Sequence, residues 1–241
     1  MNNKYSKNDL NLLKELYPNN YEEVIAKLNN NYPIQYLIGY VDFYDCIINV
    51  NENVLIPRFE TEYLVDDVIK LINKYVNNPK IIDIGTGSGC IAIALAKKTN
   101  KKVSALDISS KAIETAKSNA KLNNVDIEFI NEDINNYISS KKYNVLVSNP
   151  PYVKKGSYVD EETKYEPQDA IYAEEDGLKY YKIILSKSKD LLEKKNIIAF
   201  EIGDDQGEII SDIAKMYYPN SSIILKNDLN NLNRYLFIIN E

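Results

Sequence analysis

The sequence contains no histidine and no tryptophan, and only two cysteines, two arginines and eight glycines in 241 residues. Without histidine the chain cannot build a Ser-His-Asp or Cys-His nucleophile system or use an imidazole as a general base. Cys46 and Cys90 are far apart and cannot supply a tetrahedral zinc site, so no metal site is expected. They do not suggest a disulfide framework either, which favours a reducing, cytoplasmic setting.

Long apolar runs and an excess of positive charge are also missing. No run approaches the roughly 18 residues of a membrane span, and the N-terminus lacks the apolar core of a signal peptide. The net charge of −6 gives no global positive surface, so neither a membrane nor direct nucleic-acid binding is expected. At 44% hydrophobic and 27% charged residues, the composition is that of a globular protein.

Short apolar runs alternate with amphipathic stretches along most of the chain. We predict strands at 80–84, 102–108, 126–130, 143–148, 196–202, 222–225 and 235–239, and helices at 61–76, 90–98, 110–122, 178–192 and 208–218. This alternation predicts an α/β fold, a largely parallel sheet with helices on both faces. About nine residues join the last two strands, too few for a crossover helix, so these should pair antiparallel at the sheet edge. Ligands of such sheets bind at the carboxyl ends of the strands.

Three of the eight glycines fall within five residues at a predicted strand-to-helix turn. Their spacing is G-x-G-x-G, typical of S-adenosylmethionine enzymes, whereas a dinucleotide fingerprint would need glycine at Cys90. Glycines there let the backbone approach a ligand and place N–H groups at a helix N-terminus. The loop predicts a cofactor site made by Gly85, Thr86, Gly87, Ser88 and Gly89. A tight turn, or a site for another nucleotide, is the alternative.

Two acidic residues follow the next two predicted strands. Asp107 lies 18 residues after Gly89, where a carboxylate can accept hydrogen bonds from both ribose hydroxyls of a nucleoside. Its alternative role is to cap the helix that begins near Ser109. Asp133 ends the third strand and could flank the adenine of the cofactor, or belong to a solvated turn.

The segment Asn149-Pro150-Pro151-Tyr152 follows the fourth predicted strand. Two prolines remove two backbone donors and stiffen the exit from the strand. The Asn149 side-chain oxygen and the Pro150 carbonyl can then hold both protons of a conjugated –NH2 group and aim its lone pair at an electrophile, while Tyr152 stacks on the flat amide or ring. This is catalysis by orientation and electrostatics, which needs no histidine. The alternative is a merely rigid turn.

At this point the chain resembles the protein-(glutamine-N5) methyltransferases that modify bacterial class I peptide-chain release factors. The resemblance runs from about Pro33 to the C-terminus. It rests on PIQYLIGYVDFY (33–44), LIPRFETE (55–62), DIGTGSG (83–89), Asp107, NPPY (149–152), YEPQDA (165–170), EDGL (175–178) and EIG (201–203). NPPY alone also occurs in adenine-amine methyltransferases, whereas the other segments are more specific. Phe59 stands where the family usually has proline.

The resemblance implies a Rossmann-like, class I S-adenosylmethionine-dependent methyltransferase with a mixed seven-stranded sheet. It implies that Gly85 to Gly89 and Asp107 bind the cofactor, and that Asn149 to Tyr152 hold the glutamine of the release factor's Gly-Gly-Gln loop. Asn149 would contact both molecules, and the methyl group would pass to the glutamine amide nitrogen. A glutamine of a ribosomal protein, an adenine amine of RNA or DNA, or a module that only binds the cofactor are the alternatives.

The resemblance also suggests three parts. These are a short helical N-terminal segment (residues 1–32), a β-hairpin linker (33–57) and the methyltransferase domain (58–241). The hairpin is predicted within residues 40–55, with its turn near residues 51–53. The family uses a larger N-terminal helical domain to dock the release factor, so docking here should be trimmed or supplied elsewhere. Arg58 matches the family, either in a specific, loop-fixing ion pair or in a hairpin-to-helix salt bridge.

Overall fold

The N-terminal part of the chain is a small helical unit. The computed structural model describes residues 5–241, so the first four residues of the predicted N-terminal segment lie outside the described part. Helices α1 (Lys7–Leu16), α2 (Tyr21–Asn29) and α3 (Ile34–Ile38) enclose a core of their own, made by Leu13, Val24, Leu28 and Leu37. The α3 helix was not predicted, because its five residues are too few to show a helical period.

A two-stranded hairpin follows, formed by β1 (Tyr40–Phe43) and β2 (Cys46–Asn49). Its turn is Tyr44-Asp45, where both residues have positive φ, so the predicted turn near residues 51–53 was wrong. Those residues instead form a separate turn after β2, in which Asn53 N donates to Asn51 Oδ1 at 2.9 Å. Tyr-Asp lacks the glycine that marks such hairpin turns. A distant contact holds it: Lys97 Nζ donates to the Asp45 carbonyl at 2.6 Å.

In the described part of the chain, the main sheet has seven strands, and a second, two-stranded parallel ribbon is also present. The strands in chain order are β3 (Ile81–Ile84), β4 (Val103–Asp107), β5 (Ile127–Asn131), β6 (Tyr143–Ser148), the ribbon β7 (Val153–Lys154) and β8 (Tyr172–Ala173), then β9 (Leu192–Glu201), β10 (Ser222–Asn227) and β11 (Asn233–Asn240). Their order in the main sheet is β10-β11-β9-β6-β3-β4-β5. The predicted mixed α/β sheet and the antiparallel pairing of its last two strands are confirmed. The strand β11 also inserts between β10 and β9, antiparallel to both.

Among residues 5–241, five helices cover the two faces of the sheet. They are α4 (Phe59–Tyr75), α5 (Cys90–Thr99), α6 (Ser110–Leu122), α7 (Lys179–Leu191) and α8 (Gly207–Tyr217). The first three pack on one face with the hairpin, and α7 and α8 pack on the other. Alternate residues of a strand point to opposite faces, so Val145 and Val147 enter the first core whereas Leu146 enters the second. No helix within residues 5–241 combines the length and apolar character needed to cross a membrane.

Two isoleucines allow a direct test of the core between the sheet and helices α7 and α8. Ile198 in β9 is fully buried, whereas Ile138 is 89% exposed. We expect Ile198→Ala to lower the free energy of unfolding by about 2–5 kcal/mol, because it removes buried methyl groups and leaves a cavity. Ile138→Ala, the same chemical change, should alter it by less than about 0.5 kcal/mol. Urea unfolding measures both, and equal effects would contradict the placement of Ile198.

Candidate functional site

Parallel pairing brings several predicted site segments to one edge of the sheet. Ile84 pairs with Leu106, and Ser148 pairs with Phe200, so the carboxyl ends of β3, β4, β6 and β9 lie side by side. Ser148 Oγ also donates to the Ile84 carbonyl at 2.6 Å, which joins the end of β6 to the end of β3. The chain after each strand therefore enters the same cleft, where ligands of open α/β sheets bind.

The glycine loop leaves β3 with left-handed backbone at Gly85, Gly87 and Gly89. A Cβ at Gly85 or Gly87 would meet no atom within 4 Å, so these two residues face open space. A Cβ at Gly89 would lie 3.0 Å from the Ala116 Cβ, so this glycine lets α5 pack closely against α6. The loop therefore combines an open side for a ligand with a tight contact behind it.

Most N–H groups of this loop are already occupied by acceptors within the protein. Gly85 N and Thr86 N both donate to the Leu106 carbonyl, and Gly89 N donates to the Thr86 carbonyl. The loop is consequently held in shape by its own donors. The side chains of Thr86 and Ser88 are buried as well. The loop therefore offers a ligand mainly open space in which it can approach the backbone closely.

Asp107 lies at the end of β4, beside the glycine loop. Its Oδ2 accepts a hydrogen bond from Gly87 N at 2.8 Å, and its Oδ1 accepts one from Ser109 N at 2.9 Å. Burial nevertheless raises the pKa of this carboxyl above its usual value. Each carboxylate oxygen has a second lone pair, so the two contacts leave acceptor capacity for other donors. Ser109, not Asp107, provides the side-chain cap of α6.

Asp133 lies in the turn after β5. Glu132 N donates to the Asp107 carbonyl at 3.1 Å, which places this turn next to Asp107. Asp133 Oδ1 accepts hydrogen bonds from both Asn135 N and Asn135 Nδ2 at 2.9 Å. The half-buried carboxyl thus stabilises its own turn, and it also lies at the edge where the predicted cofactor residues meet.

Asp83, in β3 just before the glycine loop, is fully buried. Its Oδ2 accepts a hydrogen bond from Thr86 Oγ1 at 2.6 Å, whereas Oδ1 has no partner among the described residues. Burial is the main reason that its pKa is raised to about 7. An orphaned buried oxygen beside an open glycine loop and an acidic strand end fits a ligand that carries a cationic, donor-rich group, as S-adenosylmethionine does.

Asn149 follows β6 and is held from behind by two buried residues. Asn149 Nδ2 donates to Thr61 Oγ1 at 3.2 Å, and Thr61 Oγ1 donates to Glu201 Oε2 at 2.6 Å. Thr61 is in the first turn of α4, and Glu201 is the last residue of β9. Burial raises the pKa of Glu201 to about 7. Sequence reasoning assigned no role to either residue, although both fall within family segments.

The rest of the NPPY segment is fixed by different contacts. Pro150 is buried, and Pro151 and Tyr152 are half-buried. The Tyr152 carbonyl accepts a hydrogen bond from Gln206 Nε2 at 3.0 Å, and a Cβ at Gly177 would lie only 2.2 Å from that carbonyl. The Tyr152 hydroxyl lies 3.5 Å from Glu201 Oε1, and its pKa is raised by burial and by that carboxylate. Position 177 in EDGL therefore needs glycine, because any side chain there would collide with the Tyr152 carbonyl. No sequence pattern had pointed to Gln206.

Arg58 forms an ion pair with Glu166, the glutamate of YEPQDA. The two atoms, Arg58 Nη2 and Glu166 Oε1, are 2.5 Å apart, and Glu166 Oε2 accepts a hydrogen bond from Ile56 N at 3.0 Å. The Glu166 side chain is only 2% exposed. This is the specific, loop-fixing ion pair, and it joins the segment before α4 to a loop more than 100 residues later. It is not a hairpin-to-helix salt bridge.

A cavity of about 460 Å³ lies at the opposite edge of the sheet, near the amino ends of its parallel strands. Lys74, Lys80, Asn144 and Lys195 are among its lining residues. None of the predicted site residues borders this cavity, and ligands of open α/β sheets bind at the other edge. Within residues 5–241, no cluster of three acidic, cysteine or histidine residues could hold a metal ion.

The chain is similar in sequence and in fold to known methyltransferases. Residues 61–165 match a family model described as the methyltransferase small domain. A release factor glutamine methyltransferase from Bacillus anthracis is 37% identical over 225 residues, 90% of this chain and 80% of that protein. One from Flavobacterium psychrophilum is 41% identical over 218 residues, 87% and 76% of the two chains. A crystal structure of a methyltransferase from Pyrococcus furiosus has a TM-score of 0.61 at 18% identity, covering 91% and 94%, and therefore shows a shared fold.

The buried Asp83 carboxyl predicts a measurable pH dependence of stability. Because the pKa of Asp83 is higher in the folded than in the unfolded protein, protonation of this carboxyl stabilises the folded state. The stabilisation is complete below about pH 4 and is lost as the pH rises through about 7. We expect Asp83→Asn to remove this dependence. The free energy of unfolding of the variant, relative to wild type, should then rise on the order of 1–3 kcal/mol between pH 5 and 8.

Chemical denaturation at several pH values, without cofactor, measures this difference. The chain has no histidine to titrate in the same range, and Glu201, whose pKa is also raised to about 7, is present in both proteins, so the difference between them isolates Asp83. Asp126→Asn, at an exposed carboxylate on the surface, is the matched control and should leave the pH profile unchanged. Parallel profiles for Asp83→Asn and wild type would contradict the raised pKa.

Proposed function

The chain belongs to the release factor glutamine methyltransferases, and from this premise we propose that it methylates the side-chain amide of the glutamine in the Gly-Gly-Gln motif of class I release factors. Family membership rests on relatives that are 37% and 41% identical over most of both chains. The predicted class I methyltransferase fold, the dependence on S-adenosylmethionine and the enzyme class are thereby confirmed.

The observation that carries the proposal is the orientation of Asn149. Its Nδ2 faces Thr61, so its Oδ1 is left as an acceptor for a donor outside the chain. Pro150 follows directly, and its carbonyl can supply the second acceptor at the same strand end. Two acceptors side by side match the two protons of a primary amide.

A glutamine amide nitrogen is a poor nucleophile, because its lone pair is delocalised into the carbonyl group. Hydrogen bonds to the Asn149 Oδ1 and the Pro150 carbonyl would hold both N–H groups and keep the lone pair aimed into the cleft. Tyr152, whose hydroxyl lies toward Glu201, would support the flat amide with its ring. Such positioning can supply a large part of a rate enhancement without a general base.

The cofactor would be held by the neighbouring strand ends. The open faces of Gly85 and Gly87 would lie against it, and Asp107 would accept hydrogen bonds from its ribose hydroxyls. Thr86, Ser88 and Gly89 maintain the loop, and Asp133 would border the adenine. When bound, S-adenosylmethionine supplies a methyl group on a sulfonium centre, which is already electrophilic. The protein therefore has to aim the nucleophile rather than activate the leaving group.

The proposed partner is a class I release factor, as the names of the relatives suggest. We also propose that the enzyme works in the cytoplasm, where release factors act at the ribosome. Its two cysteines are free and buried, which fits a reducing compartment.

The decisive experiment offers purified release factor and labelled S-adenosylmethionine to the enzyme and maps the modified peptide by mass spectrometry. We expect one methyl group on the Gly-Gly-Gln glutamine. A ribosomal protein and an RNA or DNA fragment, offered side by side, serve as competing substrates. Methylation of either one in place of the release factor would overturn the proposed substrate.

Asn149→Ala tests the role of the amide. We expect the turnover number to fall by at least about 100-fold, since an oriented acceptor for the substrate is lost. The affinity for S-adenosylmethionine, measured by calorimetry, should fall much less, because the glycine loop and Asp107 are intact. A variant with near-normal turnover would show that Asn149 does not hold the glutamine.

Asp107→Asn tests the cofactor site. The asparagine amide has one acceptor oxygen fewer than the carboxylate, and its –NH2 group would face the ribose hydroxyls that should donate to this position. We therefore expect binding of S-adenosylmethionine to weaken by about 10-fold, equivalent to ~1.4 kcal/mol. Asp126→Asn should bind with wild-type affinity. Equal affinities of the Asp107 variant and wild type, by calorimetry, would remove Asp107 from the site.

A further inference from the structure

Three hydrogen-bonded side chains, two of them buried, connect the end of β9 to the end of β6. Glu201 and Thr61 are each 2% exposed, and Asn149 stands between them and the cleft. The Thr61 hydroxyl is 2.6 Å from Glu201 Oε2 and 3.2 Å from Asn149 Nδ2. The three residues come from three separate elements, β9, α4 and the segment after β6.

The chemistry of these groups sets the direction of both hydrogen bonds. An ionised carboxylate can only accept, so the single proton of the Thr61 hydroxyl is donated to Glu201. Toward Asn149 the hydroxyl then presents only a lone pair, which must meet a donor. That donor is the –NH2 group of Asn149, so the amide oxygen is turned the other way. The two orientations of an asparagine amide have the same shape, and only such hydrogen bonds distinguish them.

We propose that Thr61 and Glu201 are positioning residues that lock the Asn149 amide with its oxygen toward the substrate. This inference rests on the proposed role of Asn149 in holding the glutamine amide. If Asn149 turned over, its –NH2 group would face the –NH2 group of the substrate, and two donors would meet where the reaction needs a donor and an acceptor.

Other contacts at the same place do not provide this selection. Tyr152 is held through its backbone carbonyl by Gln206, and Ser148 is held through its hydroxyl by the Ile84 carbonyl. Both contacts fix the path of the chain around Asn149, but neither touches its side-chain amide. The orientation of that amide is therefore selected by Thr61 together with Glu201, whose carboxylate is itself within hydrogen-bonding reach of the Asn149 side chain and can only accept.

The hydrogen bonds from Asn149 through Thr61 to Glu201 form a relay, and the charge state of Glu201 controls the direction of its hydrogen bonds. A protonated Glu201 can donate to the Thr61 oxygen, and the Thr61 proton is then free to point at Asn149, which selects the opposite amide orientation. Burial raises the pKa of Glu201 to about 7, with Glu60 raising it further and Thr61, Arg234 and Asn149 opposing it. The productive orientation therefore belongs to the ionised form and becomes dominant as pH rises through about 7.

The other groups around Glu201 keep their protonation near neutral pH. These groups are Tyr152, Tyr181, Tyr235, Cys90 and Arg234, and their pKa values are all raised. Burial is the main cause for the tyrosines and the cysteine, whereas neighbouring groups raise the pKa of the arginine. Glu60 faces the carboxyl from the first turn of α4 and contributes a negative charge. Asp83, the other carboxyl with a pKa raised to about 7, is hydrogen-bonded to Thr86 and not to Thr61 or Asn149, so a transition near pH 7 in the Asn149 amide reports Glu201.

Thr61→Val and Thr61→Ser form a matched pair for the test. Valine keeps the shape of threonine but cannot relay a hydrogen bond, whereas serine keeps the hydroxyl. For Thr61→Val we expect the turnover number on release factor to fall about 10- to 100-fold, since the nucleophile is held less precisely. Its affinity for S-adenosylmethionine should stay close to wild type, whereas its urea midpoint should fall modestly, because the buried Glu201 carboxylate loses a hydrogen bond. Thr61→Ser should retain most of the turnover.

A second readout needs no cofactor and no activity. In a ¹⁵N spectrum the side-chain amide of Asn149 is identified by its loss in Asn149→Ala. We expect its signals to shift with pH around a midpoint near 7 in wild type and in Thr61→Ser. In Thr61→Val the pH-dependent shift of these signals should be clearly smaller, because the hydroxyl between Glu201 and Asn149 is lost and only their direct contact remains.

The outcomes separate the relay from the proposed function. A Thr61→Val enzyme with wild-type turnover, or with unchanged pH-dependent amide signals, overturns the relay. Loss of cofactor affinity in parallel with turnover, or a loss of turnover as large in Thr61→Ser as in Thr61→Val, also overturns it, because Thr61 would then be only structural. If the wild-type enzyme leaves the release factor unmodified, the proposed function fails instead, and if Asn149→Ala is fully active, Asn149 does not hold the glutamine. In both cases the amide signals still decide whether Thr61 and Glu201 orient the Asn149 amide.

Discussion

The parallel pairing of β6 with β3 on one side and β9 on the other is the constraint on which the site depends. It makes three strands end together, so the glycine loop after Ile84, the amide of Asn149 and the carboxyl of Glu201 meet at one edge. The hydrogen bond from Ser148 to the Ile84 carbonyl reinforces that alignment at its last residue. A register shift of one residue would turn these side chains to the other face of the sheet.

Two buried carboxyls lie at this edge, each hydrogen-bonded to a threonine at 2.6 Å. Asp83 with Thr86 lies beside the glycine loop, and Glu201 with Thr61 lies behind the Asn149 amide. Burial raises both pKa values to about 7. In a chain without histidine, these groups titrate where imidazoles usually do, and each has one oxygen hydrogen-bonded to a threonine inside the protein. Their place in the fold suits them to orient neighbours, which is what a reaction with a preactivated methyl group requires.

The family segments that appear scattered along the sequence form pairs in space. Arg58 of LIPRFETE meets Glu166 of YEPQDA, and Gly177 of EDGL makes room for the Tyr152 carbonyl of NPPY. The order of these segments was visible in the sequence, but their contacts were not, because the partners are separated by 25 to more than 100 positions. The turn at Tyr44-Asp45 shows the same limit, since its backbone is stabilised by lysines about 50 residues away and not by its own residue types.

The sequence by itself determined the alternation of strands and helices, the antiparallel pairing of the last two strands and the segments from which the site is built. These are local properties, because they follow from hydrophobic period, loop length and the conformational demands of glycine and proline. Only the tertiary structure decided that β11 inserts between β9 and β10, and that Thr61 and Glu201 lie behind Asn149. The reason is physical: the direction of a hydrogen bond depends on which donors and acceptors the fold brings together, and no residue carries that information alone.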